Sequence, residues 1–267
     1  MPGSIITGRD RMDRAAILSR YDAEVRASPP EEAGLERTWV GGVLRAHGVY
    51  NHIGWWSLND GQVEAAVQRE AGYFTGLGQD VEWKVFSHDG PPGLTAHLTA
   101  AGFVPDETET FLAFDLEAGG LDGASVPDVE VRRATDDAGL ADYVTANSAA
   151  FGRSDHPFQQ IEVLAPRLND GSLAIYVAYA EGKPICSGRL ELMPGRAFAG
   201  LYGGGTDPAW RGRSVYRAVV AARAAEARAR SVRYLTVDAL ETSRPILQRL
   251  GFEPLAQVTG WVLRAGS

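Results

Sequence analysis

The sequence predicts an α/β protein in which one strand–helix pattern occurs twice. In the second half, apolar strands and amphipathic helices alternate in the order βααβββαβαβ. The first half repeats the end of that order, because "VEWKVFSHDGPPGLTAHLTAAGF" at 81–103 parallels "VRYLTVDALETSRPILQRLGF" at 232–252. A stretch rich in Gly, Ala and Ser at 115–128 separates the halves. It predicts two modules, 1–120 and 121–267, of which the first is shortened at its front.

The second module is predicted to begin with an alternating strand, "VEVRRAT" at 129–135, and a helix that Thr135 caps. A second helix is predicted around 157–168. The stretch 173–193 has two apolar runs about an "EGKP" turn, which is the pattern of a hairpin. The next strand, "AFAGLYGGGTD", ends in three glycines, which is typical of a bulge or of close approach by a ligand.

A long alanine-rich helix follows at 215–230. Its predicted apolar face contains Val215, Ala218, Val219, Ala222, Ala225 and Ala229, and its predicted outer face contains Arg217, Arg223, Glu226, Arg228 and Arg230. A strand at 232–240, a short helix at 242–252 that Thr242 or Ser243 caps, and a last strand at 260–265 complete the module. In the first module, "QVEAAVQREAGYFTGLG" takes the place of the long helix and "NHIGWWSL" that of the glycine-ending strand.

Composition narrows the functional classes. The net charge of −8 argues against nucleic acid as a partner, and the acidic excess lies in residues 1–120, which favours a cationic ligand there. No apolar run is long enough to span a bilayer, and the first residues lack the apolar core of a signal peptide. The single cysteine, Cys186, is expected to be a buried thiol, because it lies in a strand and cannot form an internal disulfide. We therefore expect a cytoplasmic protein.

The start of the long helix is the strongest candidate for a ligand site. Arg211 and Arg213 flank Gly212 just before the helix, whose first N–H groups and dipole attract an anion. The first module has "SLNDGQ" at that place, with Asp60 and no cation, so only the second helix start is expected to bind phosphate. An ordinary basic surface turn is the alternative interpretation of "RGRS".

Together these stretches resemble the GNAT superfamily of acyl-CoA-dependent N-acyltransferases. "TDPAWRGRSVY" is similar to its acyl-CoA signature, Arg/Gln-x-x-Gly-x-Gly/Ala, and "SRPILQRLGF" is similar to its later helix and Leu-Gly-Phe turn. The resemblance covers about 129–264 as a complete domain and about 45–116 as a partial copy. It implies a mixed, mostly antiparallel sheet flanked by helices, with acetyl-CoA as co-substrate. The histidines of the first module show no metal-ligand spacing, and no metal is expected.

The resemblance also implies which residues hold CoA. Its pyrophosphate would lie on the helix start, and its pantetheine arm and acyl carbonyl would lie along the strand end. The residues so implicated are Arg211, Gly212, Arg213, Ser214, Val215 and Tyr216 at the helix start, and Gly204, Gly205 and Thr206 at the strand end. The sequence departs from the signature at Ser214 and Tyr216. Family members place a proton-donating tyrosine where this chain has Leu247, so either another group is the acid or the thiolate leaves unassisted.

The acceptor amine must lose a proton, which calls for a general base or a water chain. Asp238 is a candidate because it lies at the carboxyl end of its strand, where α/β sheets place ligands. Tyr202 and Glu191, on the strands before it, are the other catalytic candidates. Glu241 and His156 are rivals, and surface charge or packing is the alternative interpretation of each of these residues.

The resemblance, with the helix start that differs between the two modules, implies an N-acetyltransferase that moves an acetyl group from acetyl-CoA directly to the amine of a small molecule. The alternatives are a non-catalytic module that binds CoA or a small molecule, and a protein or peptide acetyltransferase. The acceptor and the acyl chain length stay open, and so does the choice between monomer and dimer. A monomer is favoured, because two fused modules bury internally what single modules bury by pairing.

Overall fold

One twelve-stranded sheet runs through both halves of the described chain. The protein is seen in a computed structural model that describes residues 13–152 and 160–266. The strands are β1 (Leu35–Val40), β2 (Val43–Gly48), β3 (His52–Trp56), β4 (Val81–Phe86), β5 (Val104–Pro105), β6 (Glu109–Asp115), β7 (Glu130–Ala134), β8 (Leu173–Ala180), β9 (Lys183–Leu192), β10 (Phe198–Thr206), β11 (Tyr234–Ala239) and β12 (Glu253–Leu263). The helices are α1 (Arg14–Tyr21), α2 (Asp60–Leu77), α3 (Leu94–Ala100), α4 (Asp137–Phe151), α5 (Ile161–Asn169), α6 (Val215–Ala229) and α7 (Arg244–Arg249).

The halves exchange their last strands in the middle of the sheet. The strand order is β1-β2-β3-β4-β12-β6-β11-β10-β9-β8-β7, and the short β5 also pairs with β12. Strand β6 of the first half pairs with β11, and β12 of the second half pairs with β4. Two neighbouring pairs, β3–β4 and β10–β11, are parallel and the others are antiparallel. The predicted mixed, mostly antiparallel sheet is therefore confirmed, while the division at residue 120 stays a prediction.

The internal repeat is visible in the structure as the same strand–helix–turn unit. After β4 and after β11, a short helix ends at a glycine with positive φ, Gly102 at 91° and Gly251 at 99°. This left-handed backbone favours glycine. The next N–H, of Phe103 or Phe252, donates to the carbonyl oxygen of Leu98 or Leu247, respectively. Both leucines are fully buried, so the same turn closes a core in each half.

Helices cover both faces of the sheet. Side chains of α6 and α7 join those of β6, β10 and β11 in one apolar cluster. Helices α4 and α5 pack on β8, and α1 packs on the central strands β6, β10 and β12. In the first half, α2 and α3 pack on β3 and β4. None of these described helices has the length and apolarity that a bilayer crossing requires.

Several boundaries differ from the sequence-based expectation. The N-cap of α4 is Asp136 and not Thr135, because the carboxylate of Asp136 accepts the N–H of Gly139. Ser243 occupies the N-cap position of α7, but its hydroxyl donates to the carbonyl of Leu240 and makes no cap. Strand β12 starts at Glu253, well before 260. The first part of the helix predicted at 157–168 lies outside the described residues.

The buried face of α6 is rotated from the predicted one. Its buried residues are Val215, Ala218, Val219, Val220, Ala221, Arg223, Ala224 and Ala227. Ala225 and Ala229 are exposed, and Arg223, predicted to face outward, is fully buried. Alanine is compatible with either face of a helix, so a helix with alanines all around does not reveal its buried side by periodicity.

Candidate functional site

The parallel strands β10 and β11 separate before they end. They pair only from Phe198–Tyr234 to Gly200–Thr236, although β10 continues to Thr206 and β11 to Ala239. On its other side, β10 shifts register against β9 between Tyr202 and Gly205, so the strand bulges where its glycines lie. The result is an opening between two strands at their carboxyl ends, which is where α/β sheets bind ligands.

The bulge glycines are required by close neighbours on both faces. A β-carbon at Gly204 would lie 2.8 Å from Cε2 of Tyr216, in α6. A β-carbon at Gly205 would collide with the ring of Phe151, at the end of α4. A side chain at either position would therefore displace the Tyr216 or Phe151 ring that packs against the bulge.

Helix α6 begins beside this bulge with its first amide groups uncapped. Ser214 occupies the N-cap position in the left-handed conformation, with φ of 62°, and its hydroxyl makes no capping hydrogen bond to the described residues. Gly212, with φ of 76°, has open space around its β-carbon position within the described structure. Backbone N–H groups of a helix start and a backbone free of side-chain obstruction are the features that bind a phosphate group.

The two arginines of the loop before α6 have different settings. Arg211 donates from Nε to the carbonyl of Thr206, at 3.1 Å, and from Nη2 to the carbonyl of Ala150, at 3.2 Å. It therefore ties the loop to the ends of β10 and α4. Arg213 is exposed, with its guanidinium 4.8 Å from the ring centroid of Trp210, and forms no hydrogen bond or ion pair with another described residue.

A cavity of about 810 Å³ lies where the two halves meet. Its walls include Tyr50 and His52 of the first half, and Arg189, Glu191 and Tyr202 of the second. This volume is in the range of small-molecule sites, which are a few hundred to about 1,000 Å³. Tyr202 also belongs to the β10 bulge, so the cavity and the opening between the strands share a wall.

Tyr202 and Glu191, predicted from sequence as catalytic candidates, both line this cavity. Burial, with Tyr21 and Asp238 nearby, raises the pKa of Tyr202 well above its usual value, so its hydroxyl stays protonated near neutral pH. The carboxylate of Glu191 forms ion pairs with Arg167 at 3.3 Å and Arg189 at 3.4 Å. Glu191 is thus an anchored carboxylate at the cavity wall, and Tyr202 is a hydrogen-bond donor.

The third catalytic candidate, Asp238, is joined to the cavity through Lys84. The ammonium of Lys84 lines the cavity and pairs with Asp238 Oδ2, which links β4 of the first half to β11 of the second. Burial lowers the pKa of Lys84, but Asp238 and other acids outweigh that effect and raise it well above 10.5. Burial and Asp238 also raise the pKa of Glu109, on β6, to about 7. Lys84 is therefore charged. It lies with Asp238 and Glu109 in an acidic cluster at the seam, the region where β4 of the first half meets the strands of the second.

The sequence singles out four further residues, and the structure describes the surroundings of three of them. Leu247 is fully buried in the core. Glu241 is exposed and pairs with Arg244. His156 lies outside the described residues. Cys186 is fully buried as expected, and burial raises the pKa of its thiol to about 11. No group of three metal-ligating side chains is found in the described ranges 13–152 and 160–266.

Sequence reasoning missed two basic residues of this region, Lys84 and Arg189. Each is a single cation inside an apolar strand, at the positions "VEWKVF" and "ICSGRLEL". A charged residue within an apolar strand is rarely buried unless it is paired, so both positions carried a signal for a polar site.

Comparisons with known proteins agree with this geometry. Residues 122–240 match the family model described as the acetyltransferase (GNAT) domain. A GCN5-related N-acetyltransferase from Kribbella flavida superposes with a TM-score of 0.66 at 14% identity, covering 93% of each chain. A tandem GNAT protein from the clavulanic acid biosynthesis pathway superposes with a TM-score of 0.62 at 16% identity, covering 95% of this chain and 94% of the other.

A third solved structure, a GCN5-related N-acetyltransferase from Sphaerobacter thermophilus, gives a TM-score of 0.64 at 12% identity, with 85% and 81% of the chains covered. No curated protein sequence matches the chain. At these identities the solved structures establish the fold, and the family model covers residues 122–240 of the chain. The protein therefore has the fold of these GNAT structures, and its residues 122–240 match the GNAT acetyltransferase domain model.

Proposed function

We propose that this protein transfers an acetyl group from acetyl-CoA directly to the amine of a small molecule. The observation that carries the proposal is the opening between β10 and β11 beside the uncapped start of α6. When bound, the thioester supplies an activated acetyl group. The pyrophosphate would lie on the amides of Ser214, Val215 and Tyr216, with charge from Arg213, on a loop formed by Arg211 and Gly212. The pantetheine arm would follow Gly204, Gly205 and Thr206 along the β10 edge.

The cavity at the seam supports a small acceptor. Its volume of about 810 Å³ is large enough for a metabolite-sized molecule. Tyr202 lines the cavity and also belongs to the β10 bulge, so an acceptor in the cavity would lie next to the bulge. We assign Glu191 to bind the acceptor's ammonium group and to receive its proton. Tyr202 would donate a hydrogen bond to the acceptor, and Asp238 would hold Lys84 in the cavity wall. An acceptor enclosed between the halves favours a small molecule over a protein substrate.

Binding of acetyl-CoA is tested by calorimetry on the wild type and on Arg213→Glu. We expect the variant to bind about 10- to 100-fold more weakly, because a charge reversal faces the pyrophosphate. The matched control is Arg249→Glu, the same charge change at an exposed position in the last turn of α7, which should bind like the wild type. No binding by the wild type would reject the proposal.

Transfer is tested by the release of free CoA thiol from acetyl-CoA in the presence of a panel of primary amines and amino acids. We expect release that depends on one class of amine, and at least about a 100-fold lower kcat for Glu191→Gln, because a neutral amide cannot take up the amine proton. Amine-independent release at the buffer rate would contradict catalysis.

Two features favour a second candidate function, a module that binds CoA or a small molecule without chemistry. Leu247 occupies the position of the family's proton donor, and the only carboxylate assigned as base is held by two guanidinium groups. This candidate predicts tight CoA binding with no amine-dependent thiol release over hours. Sustained turnover with any amine of the panel would exclude it.

A further inference from the structure

Arg223 is a fully buried guanidinium that pairs with no carboxylate of the described residues. Its Nε donates to the carbonyl of Val219 at 3.3 Å, and its Nη1 donates to the carbonyl of Arg189 at 3.0 Å. Its Nη2 has no hydrogen-bond partner in the described structure, and no carboxylate of residues 13–152 or 160–266 pairs with it. The guanidinium also lies 6.0 Å from the ring centroid of Tyr216. A buried charge that has carbonyl groups and a ring as neighbours but no carboxylate is costly to the folded state.

The sheet is built to admit this side chain. A β-carbon at Gly188, on β9, would lie 2.7 Å from Cζ of Arg223. A β-carbon at Gly204, on β10, would lie 3.4 Å from its Nη2. Two adjacent strands therefore lack side chains where the guanidinium lies, and the unpaired Nη2 is directed at the β10 bulge.

The position matters because acetyl transfer creates negative charge beside that bulge. The amine nitrogen forms a bond to the acetyl carbon, the carbon–sulfur bond breaks, the sulfur leaves as a thiolate, and the amine gives up one proton to the carboxylate of Glu191. Negative charge develops first on the thioester oxygen and then on sulfur. Leu247 is apolar and buried, so it supplies no proton to the sulfur. A fixed cation nearby stabilises both charges without any proton transfer.

We propose that Arg223 is the positive charge of the acetyl-transfer site, a positioning residue that acts through the Gly203–Gly205 backbone and stabilises the thioester oxygen and the departing thiolate. The inference rests on the proposed function. Arg223 is fully buried, and its effect on the reacting atoms would be electrostatic.

The test compares Arg223→Gln with Arg223→Lys, and its main readout is the titration of the CoA thiol in the CoA complex, followed by thiolate absorbance. In the wild type, the nearby cation should hold the pKa of the bound thiol below that of a free thiol, about 8.5. In Arg223→Gln it should rise to about the free value, and kcat should fall at least about tenfold with KM for acetyl-CoA within about twofold. Arg223→Lys keeps the charge and should keep a lowered thiol pKa.

A destabilising variant of the same helix separates charge from packing. Val220→Ala removes a fully buried side chain of α6, and we expect it to lower stability while the thiol pKa and kcat stay at wild-type values. Should Arg223→Gln fail to fold, Gly188→Ala displaces the guanidinium and should also raise the thiol pKa. An unchanged thiol pKa in either variant that folds and binds CoA overturns the inference and leaves the proposed function intact. Failure of the wild type to bind CoA would overturn the proposed function first.

Discussion

Each half of the molecule has a glycine bulge next to a diverging pair of parallel strands, and a buried arginine beside that bulge. In the first half, β3 pairs with β4 at only two positions, and its register against β2 shifts at Gly54. Arg26 donates from Nε to the carbonyl of Gly54 at 3.2 Å, and its guanidinium lies 4.1 Å from the ring centroid of Phe86, on β4. In the second half, the arginine beside the bulge is Arg223, on α6. The side chain of Arg26 therefore occupies the space beside the Gly54 bulge of β3.

The two arginines differ in their counterions. Arg26 is paired with Asp22 at 2.8 Å and with both carboxylate oxygens of Asp89, at 2.8 and 2.7 Å. No described carboxylate pairs with Arg223. A buried cation with two carboxylates is a closed structural unit, whereas one without a carboxylate retains its field for whatever enters the site.

The helix starts repeat this contrast. Helix α2 has a capping box in which Gln62 Oε1 accepts the N–H of Asn59 at 3.0 Å, and Asp60 adds negative charge. Helix α6 has no such cap among the described residues. The first half thus pairs its buried arginine with carboxylates and caps its helix start, whereas the described residues of the second half do neither.

Among the variants that test this difference between the halves, we expect Arg26→Gln to lower the free energy of unfolding most. It leaves Asp22 and Asp89 without their cation, and the Asp89 side chain is only 6% exposed. Breaking a buried ion pair costs about 3–5 kcal/mol of unfolding free energy. Urea denaturation measures the loss, and Arg14→Gln, which breaks the exposed pair with Glu253, should cost less than about 1 kcal/mol. Equal losses of unfolding free energy in the two variants would show that the buried pairs of Arg26 stabilise the first half no more than an exposed ion pair does.

The next effect concerns the equivalent leucines Leu98 and Leu247. Both are fully buried, so Leu98→Ala and Leu247→Ala should each lower the free energy of unfolding by about 2–4 kcal/mol. Thermal unfolding of the two variants tests whether the repeated turn has the same role in both halves. A loss of acetyl transfer per folded molecule in Leu247→Ala alone would instead assign that position a role in the chemistry.

The sequence was sufficient for the repeat, the glycine-ending strand and the helix start, because these depend on short-range patterns. It could not show that β6 and β12 change places, since strand exchange depends on contacts between residues more than a hundred positions apart. It also misassigned Arg223 to the outer face of α6. In an alanine-rich helix the periodicity is weak, and only the glycines on two other strands reveal the buried position.

Glu109, on β6, lies near the Lys84–Asp238 pair where the two halves meet. The pKa of Glu109 is raised from 4.5 to about 7 by burial and by Asp238, so the folded state keeps a proton that the unfolded state has lost. Stability from this group is therefore complete below pH 4.5 and is lost as pH rises to about 7. Glu109→Gln should remove that loss and raise stability at pH 8 by roughly 1–2 kcal/mol, since the side chain keeps part of its hydration.

The measurement is urea denaturation of both proteins from pH 4 to pH 8. The exposed Glu107→Gln variant is the control, because it changes the same charge two residues away and should keep the wild-type pH dependence. Parallel stability curves for the wild type and Glu109→Gln would show that the acidic cluster does not hold this proton.

The smallest expected effect returns to the start of α6, where Ser214 has a φ of 62°. A left-handed backbone costs a serine about 1 kcal/mol relative to glycine, part of which is offset by the greater freedom of glycine in the unfolded chain. Ser214→Gly should therefore raise the free energy of unfolding by about 0.5 kcal/mol and leave acetyl-CoA affinity at least as high, because the amides stay accessible. Gly212→Ala is the control with the opposite expected sign. Gly212 has a φ of 76° in open space, so the alanine should lower the free energy of unfolding by about 1 kcal/mol without any steric clash. Weaker acetyl-CoA binding by a Ser214→Gly variant of raised stability would contradict this expectation. It would mean that the serine hydroxyl itself binds the phosphate, and that serine at this position of the signature contributes to affinity.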